Sequence, residues 1–145
     1  MAATTMAEGI LNDLLQGEIS AVETYVHALG KLEGADRQVL EQIETEHVEA
    51  CNLLRKCVHQ QHGSPEKGSG VWGALSKLVV GTANVFGRLP ALKALKEGEE
   101  HGIQLYHQSL EDRYLPVQIK DILLDRFISA GKRHIVLLDR LMEKK

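Results

Sequence analysis

A chain of 145 residues, 43% hydrophobic and 26% charged, is long enough for one domain around a single core. Its net charge is −3 with both signs interspersed, so there is no electrostatic case for nucleic acid. No basic segment followed by an apolar one opens the chain, and no apolar run is long enough to span a bilayer, so neither a secretory signal nor a membrane span is expected.

Residues 1–6 read as a loose tail. Helix 1 is expected from about Ala7 to Leu29, with Gly30 and Gly34 as stop signals. Helix 2 is expected from about Asp36 to His62, with Asp36 as N-cap and Gly63-Ser64-Pro65 ending the run. Cys51 and Cys57 fall on different faces of this helix, so a disulfide is not expected, and a reducing, cytoplasmic setting fits. The stretch GSPEKGSG reads as a flexible linker. Residues 71–87 are apolar, carry the single charge Lys77, and read as a crossover helix. The apolar face of Trp72, Leu75, Val79 and Phe86 would cover one side of the bundle, form a dimer contact, or lie on a membrane surface. The shortage of basic residues argues against the membrane. A homo-oligomer, with a dimer favoured, is therefore expected. Helix 3 is expected from about Pro90 to Arg113, with proline in its first turn, and helix 4 from about Pro116 to Met142. The expected fold is all-α: a four-helix bundle with a long helical crossover between helices 2 and 3. Within a single domain, 1–145, the bundle covers about 7–142 and the linker and crossover about 63–89.

Two stretches share one spacing. Leu11-x-x-Leu14-x-x-Gly17-Glu18-x6-Tyr25-x3-Leu29 matches Leu92-x-x-Leu95-x-x-Gly98-Glu99-x6-Tyr106-x3-Leu110. Each places a glutamate in the middle of an apolar helical stripe, with a tyrosine two turns later on the same face. The partner helices also correspond. The stripe Leu40, Ile43, Glu44, His47, Cys51, Leu54 on helix 2 matches Phe127, Ala130, Gly131, His134, Leu138, Leu141 on helix 4. The chain therefore reads as two helical hairpins related by a pseudo-twofold axis.

A buried carboxylate must be neutralised, hydrogen-bonded, paired or bound to a metal. By the symmetry of the repeat, Glu18 faces Glu99, Glu44, His47 and His134. Acids and imidazoles converging inside a bundle are the donors of a metal pair, and Glu44-x-x-His47 has the i, i+3 spacing that brings both side chains to one point. Hard oxygen donors with imidazole suit iron or manganese, and zinc is also accepted. The same residues also suit a metal-free network in which Tyr25 and Tyr106 donate to the acid of a neighbouring helix. Cys51 reads as a small buried filler, Glu46 and Glu49 as solvated, and His27, His59, His62, His101 and His107 as surface residues.

At these residues the chain resembles the ferritin-like di-iron carboxylate superfamily. It looks most like a bacterial ferritin-like family of unknown function, and more distantly like bacterioferritin, rubrerythrin and demethoxyubiquinone hydroxylase. The resemblance covers about residues 8–142. It implies Glu18, Glu44, His47, Glu99 and His134 as metal ligands, with Tyr25 and Tyr106 as hydrogen-bond donors behind them. It also implies iron handling or oxygen-dependent oxidation. The chain departs from the pattern at Gly131, where a second Glu-x-x-His places its acid; Asp125 and Asp139 fall off the His134 face. This departure supports a rival reading: a non-enzymatic bundle with an acid-histidine core, acting through association, as in stress tolerance.

Overall fold

Helices occupy most of the described residues, 2–70 and 87–144 of this computed structural model, and no strand occurs among them. α1 is Ala2–Leu29, α2 is Gly34–Gln60 and α3 is Arg88–Leu110. α4 comprises Val117–Ile122, the wider-wound π stretch Leu123–Ile128 and Ser129–Glu143, with helical backbone angles at both joins. α1 packs along α2 and α3 along α4, so the chain forms two helical hairpins. These meet through α1 against α3 and α2 against α4. The crossover helix expected from residue 71, and the dimer contact expected of it, lie outside the described residues. No described helix is long and apolar enough to cross a membrane.

The prolines stand where helices tolerate them, Pro90 in the first turn of α3 and Pro116 just before α4. Several boundaries differ from the sequence reading, α3 ending at Leu110 rather than about Arg113, and two of the differences have a clear physical cause. α1 begins at Ala2 rather than after a six-residue tail: the alanine-rich opening carries no breaker, and Ala7 and Leu11 already have no exposed surface. Asp36 does not cap α2. It lies inside the first turn, buried, and its carboxylate is committed elsewhere.

That commitment is to Arg88, the first residue of α3. Its Nε and Nη2 both donate to Asp36, Nη2 at 2.9 Å, and the guanidinium also reaches the carbonyls of Leu141 at 2.7 Å and Lys144 at 3.4 Å. The last carbonyls of a helix have no partner within it. Arg88 therefore closes the end of α4 while tying it to the starts of α2 and α3. The chain enters α3 through Gly87 at φ 87° and ψ −158°, a conformation that only glycine adopts readily.

The linker after α2 is not free along its whole length. Asn12 donates to the Ser64 carbonyl at 3.1 Å and accepts from the Glu66 amide at 2.9 Å, and the Ser64 amide donates to Glu8 at 3.1 Å. These bonds lay residues 64–66 along α1.

α4 owes its π stretch to its apolar spacing. Ile119, Leu123, Phe127 and Gly131 are all buried, at three successive four-residue steps. In an ordinary helix each such step drifts about 40° around the axis, and a wider turn absorbs the drift. Beyond it the steps alternate, through His134, Leu138 and Leu141.

The core consists of two apolar clusters. One gathers Leu11, Leu15, Leu54, Val58, Tyr106, Leu123 and Phe127; the other gathers Tyr25, Leu40, Ile43, Leu92, Leu95, Leu138 and Leu141. Each fully buried leucine contributes about 1.5–3 kcal/mol. Between the two clusters lies a polar layer, and each cluster lends it one tyrosine.

Removing the Arg88 side chain strands a buried Asp36 carboxylate and frees two α4 carbonyls. Arg88→Ala is expected to cost about 1–2 kcal/mol, after discounting for the partial exposure of the arginine. A lowered urea midpoint with unchanged slope is the measurement that checks it.

Candidate metal centre

The polar layer is built from one side chain of each helix. Glu18 comes from α1, His47 from α2, Glu99 from α3 and His134 from α4, and all four are buried. They stand there because each occupies a place in its helix's apolar stripe, so the packing that buries the leucines buries them as well.

His47 bridges the two acids. Its Nδ1 lies 2.6 Å from Glu18 Oε2 and its Nε2 lies 2.7 Å from Glu99 Oε1. His134 Nδ1 lies 3.0 Å from the same Glu99 Oε1. The Tyr25 hydroxyl donates to that oxygen too, at 3.0 Å, so one carboxylate oxygen accepts three bonds. The Tyr106 hydroxyl donates to Glu18 Oε1. Each tyrosine thus serves the acid of the opposite hairpin. The Tyr25 ring stacks on His47 with centroids 5.3 Å apart, and the two imidazoles lie 5.0 Å apart.

The electrostatics follow from burial and neighbours. Burial alone lowers the His47 pKa, but the charges of Glu18 and Glu99, with their hydrogen bonds, hold it well above its usual 6.5. Burial pushes Glu99 up, yet the His47 charge and the bonds from both histidines outweigh this and hold it down at about 2. Burial, and then the adjacent carboxylates, raise both tyrosines well above 10, so they remain donors. Burial pushes the Cys51 thiol up to about 12, which leaves it inert at neutral pH. Both cysteines are free and buried.

One atom of the layer is left over. His134 Nε2 is buried and, among the described residues, has no hydrogen-bond partner. The Glu46 Oε1 atom lies 3.5 Å away and is held at 2.9 Å by Arg133. Glu46, read from the sequence as solvated, is half-buried and belongs to the rim of the site. The signal was present in the sequence: Glu46-His47 and Arg133-His134 put opposite charges immediately before the two histidines. Glu44 is placed differently. It is half-buried, and no hydrogen bond or ion pair joins it to the cluster in this structure. His27, His59, His62, His101 and His107 are exposed. Asp139 pairs with Lys96 at 2.8 Å, away from the site, and Asp125 is exposed.

Gly131 is where two helices come close. A Cβ added there would lie 2.7 Å from Ile103 Cγ1 and 3.0 Å from its Cδ1. The missing acid of α4 is therefore coupled to crowding from α3, and a glutamate at 131 requires Ile103 to move. A cavity of about 530 Å³ surrounds the layer, and Glu18, His47, Glu99 and His134 all line it.

Donor identity, burial and the unpartnered nitrogen fit a cation. One donor atom from each of His47, Glu99 and His134 lies within 4.8 Å of the others. In the neutral His134 ring with its proton on Nδ1, Nε2 presents a lone pair. Two buried carboxylates beside two imidazoles also balance a divalent charge.

Two measurements test this account. Gly131→Ala gains roughly 1 kcal/mol of helix propensity but overpacks Ile103 at a cost of about 1–3 kcal/mol, so a net loss is expected. Ile103→Ala in the same chain should recover part of it, as a favourable coupling in a double-mutant cycle. The second measurement uses metal-free protein. The raised His47 pKa contributes stability that is fully present below about 6.5 and is lost as pH rises through the folded value. The depressed Glu99 pKa contributes stability present above about 4.5 and lost as pH falls toward about 2. The melting temperature should therefore decline on both sides of the window from about 4.5 to 6.5, and His47→Gln should flatten the alkaline limb.

Comparison with known proteins agrees with this architecture. Among curated proteins nothing matches the chain. Among solved structures it is similar to a ferritin-like, diiron-carboxylate protein from Bacillus anthracis strain Ames, with a TM-score of 0.74 and 20% identity over 98% of this chain and 99% of that one. At that identity the likeness establishes the fold, an all-α ferritin-like bundle. Residues 6–112 match the family described as a domain of unknown function, DUF2383, and the chain belongs to that family.

Proposed function

We propose that this chain binds a divalent transition metal, iron first and manganese or zinc as alternatives, between Glu18, His47, Glu99 and His134. The observation that carries the reading is the convergence of three buried side chains, His47, Glu99 and His134, with one donor atom of each within 4.8 Å of the others and the His134 Nε2 left without a hydrogen bond. Glu44, one turn before His47 on α2, completes the ligand set expected from the sequence. The similar protein from Bacillus anthracis is described as a diiron-carboxylate protein, which supports the same direction.

When bound, iron supplies one-electron chemistry toward dioxygen, so iron handling or oxygen-dependent oxidation is the proposed use. The chain's own residues do the rest. The two apolar clusters exclude water above and below the layer. Tyr25 and Tyr106 fix the orientation of the two carboxylates by donating to them. His47 must release the proton it shares with the acids before a ring nitrogen can serve as ligand. The cavity leaves room for a small molecule beside the layer.

A second reading has its own observation. With both His47 nitrogens bonded to carboxylates, the network is largely self-satisfied without a metal. In that case the layer serves to fix the pairing of the hairpins, and the protein works through association.

Elemental analysis of protein purified without added metal, followed by anaerobic ferrous titration, separates the two readings. Without an acid at 131 to bridge two cations, at most one tightly bound ion per chain is expected. His47→Ala should weaken it at least about tenfold, and Glu44→Gln by a comparable factor if Glu44 is a ligand. Folded wild-type protein that takes up no metal would sink the first reading and leave the second.

A further inference from the structure

We infer that the cavity beside the layer is a binding site for an uncharged, largely apolar small molecule, which lies against the bare backbone of α3 at Gly98 and Gly102 with one end at the layer. The inference rests on the reading of the layer as a metal centre for the chemistry the molecule meets there, though not for the binding itself.

The repeat sets a glycine immediately before each inward acid, Gly17 before Glu18 and Gly98 before Glu99. The metal centre gives these glycines no role. Gly98 and Gly102 stand one turn apart in the middle of α3, where glycine is less favourable than any residue but proline. Close packing does not explain them. A Cβ built at Gly131 runs into Ile103, but one built at Gly98 or Gly102 meets no atom of the described residues within 4 Å outside its neighbours and the backbone of its own helix. Both glycines line the cavity, as do Ala94 on the same helix and Gly17, Ser20 and Ala21 on α1. The glycines of α3 therefore keep open a space that side chains could fill without a clash.

The chemistry of the walls sets the class of molecule. At about 530 Å³ the cavity falls within the roughly 300–1,000 Å³ of small-molecule sites. Away from the layer its buried walls are apolar or hydroxyl-bearing, Leu14, Leu95 and Phe127 beside Ser20 and Thr24, and none is charged. The layer forms the remaining wall, and His134, whose Nε2 is unpartnered, belongs to it. An anionic group brought inside would lose its water and meet two carboxylates whose one shared cation, His47, is already bonded to both. The cationic side chains of the lining, Lys56, Arg126 and Arg133, are exposed, so none of them answers a charge at depth.

Fluorescence titration of the full chain with N-phenyl-1-naphthylamine, an uncharged aromatic amine, tests this, on protein as purified and again after dialysis against a chelator. One saturable site per chain is expected in both. Gly98→Leu and Gly102→Leu should each weaken it at least about tenfold by filling the space, and Gly98→Ala by less. The two leucine variants should also melt about 2–4 °C higher than wild type, because they gain helix propensity without a clash. Gly9→Leu is the control: a Cβ there also meets nothing within 4 Å, but Gly9 is exposed on α1 and does not line the cavity, so the probe should be unmoved. The compound 1-anilinonaphthalene-8-sulfonate, the same ring system with a sulfonate, should bind at least about tenfold more weakly. Circular dichroism on each sample establishes that the chains are folded. Absence of saturable binding to folded wild type, or an affinity unmoved by both α3 leucines, overturns the pocket, and tighter binding of the sulfonate overturns its uncharged class. Each of these leaves the ferrous titration of the layer to stand on its own, and glycine-dependent binding in a chain that takes up no metal upholds the pocket while the metal centre falls.

Discussion

The bundle is organised around one contact, the His47 ring held between Glu18 and Glu99. A carboxylate inside an apolar core costs several kcal/mol unless something answers its charge. Here each acid is answered by the same imidazole and by a tyrosine from the other hairpin. The two acids belong to α1 and α3 and the imidazole to α2, so the cost is relieved only when both hairpins are in register. A slip of either hairpin by one turn would leave a buried charge without a partner. Leucine packing supplies most of the stabilisation but tolerates many registers; the polar layer selects one.

The rest of the architecture is consistent with that demand. The apolar core is divided so that the layer lies between two buried apolar clusters, which strengthens the interactions within it. Arg88 ties α2, α3 and the end of α4 together beyond one cluster. The π stretch of α4 absorbs three long steps and brings Gly131 and His134 round to face inward. Such stretches often mark functional positions because they re-aim the residues that follow. The crowding of Ile103 against Gly131 belongs to the same alignment: α3 and α4 approach closely enough to bring His134 to Glu99, and a side chain at the residue one turn earlier would have to displace Ile103.

The layer has an asymmetry that bears on function. His47 is saturated by two carboxylates, whereas His134 shares one and keeps a nitrogen unpartnered. The rims differ too, because Glu46 stands before one histidine and Arg133 before the other. Similar hairpins thus produce a centre with one satisfied imidazole and one available imidazole. An anion-rich interior with an available nitrogen is the feature on which the proposed cation site draws, while the saturated His47 is the feature a purely structural network would use.

The sequence by itself determined the four helices, their grouping into hairpins and the burial of Glu18, His47, Glu99 and His134. It could do so because helical periodicity alone decides which residues share an inward stripe, and polar residues within such a stripe are conspicuous. The tyrosine bonds were legible for the same reason, two turns being a fixed distance along one face. What Asp36 bonds, where Glu46 is held and why a side chain at position 131 is crowded were decided only by tertiary structure. Each depends on a residue from another helix: Arg88 draws Asp36 away from capping, Arg133 draws Glu46 to the rim, and Ile103 fills the space a side chain at 131 would need. Periodicity fixes direction around one helix axis, but the partner met in that direction is set by how the helices pack against each other, and that is a property of the assembled bundle.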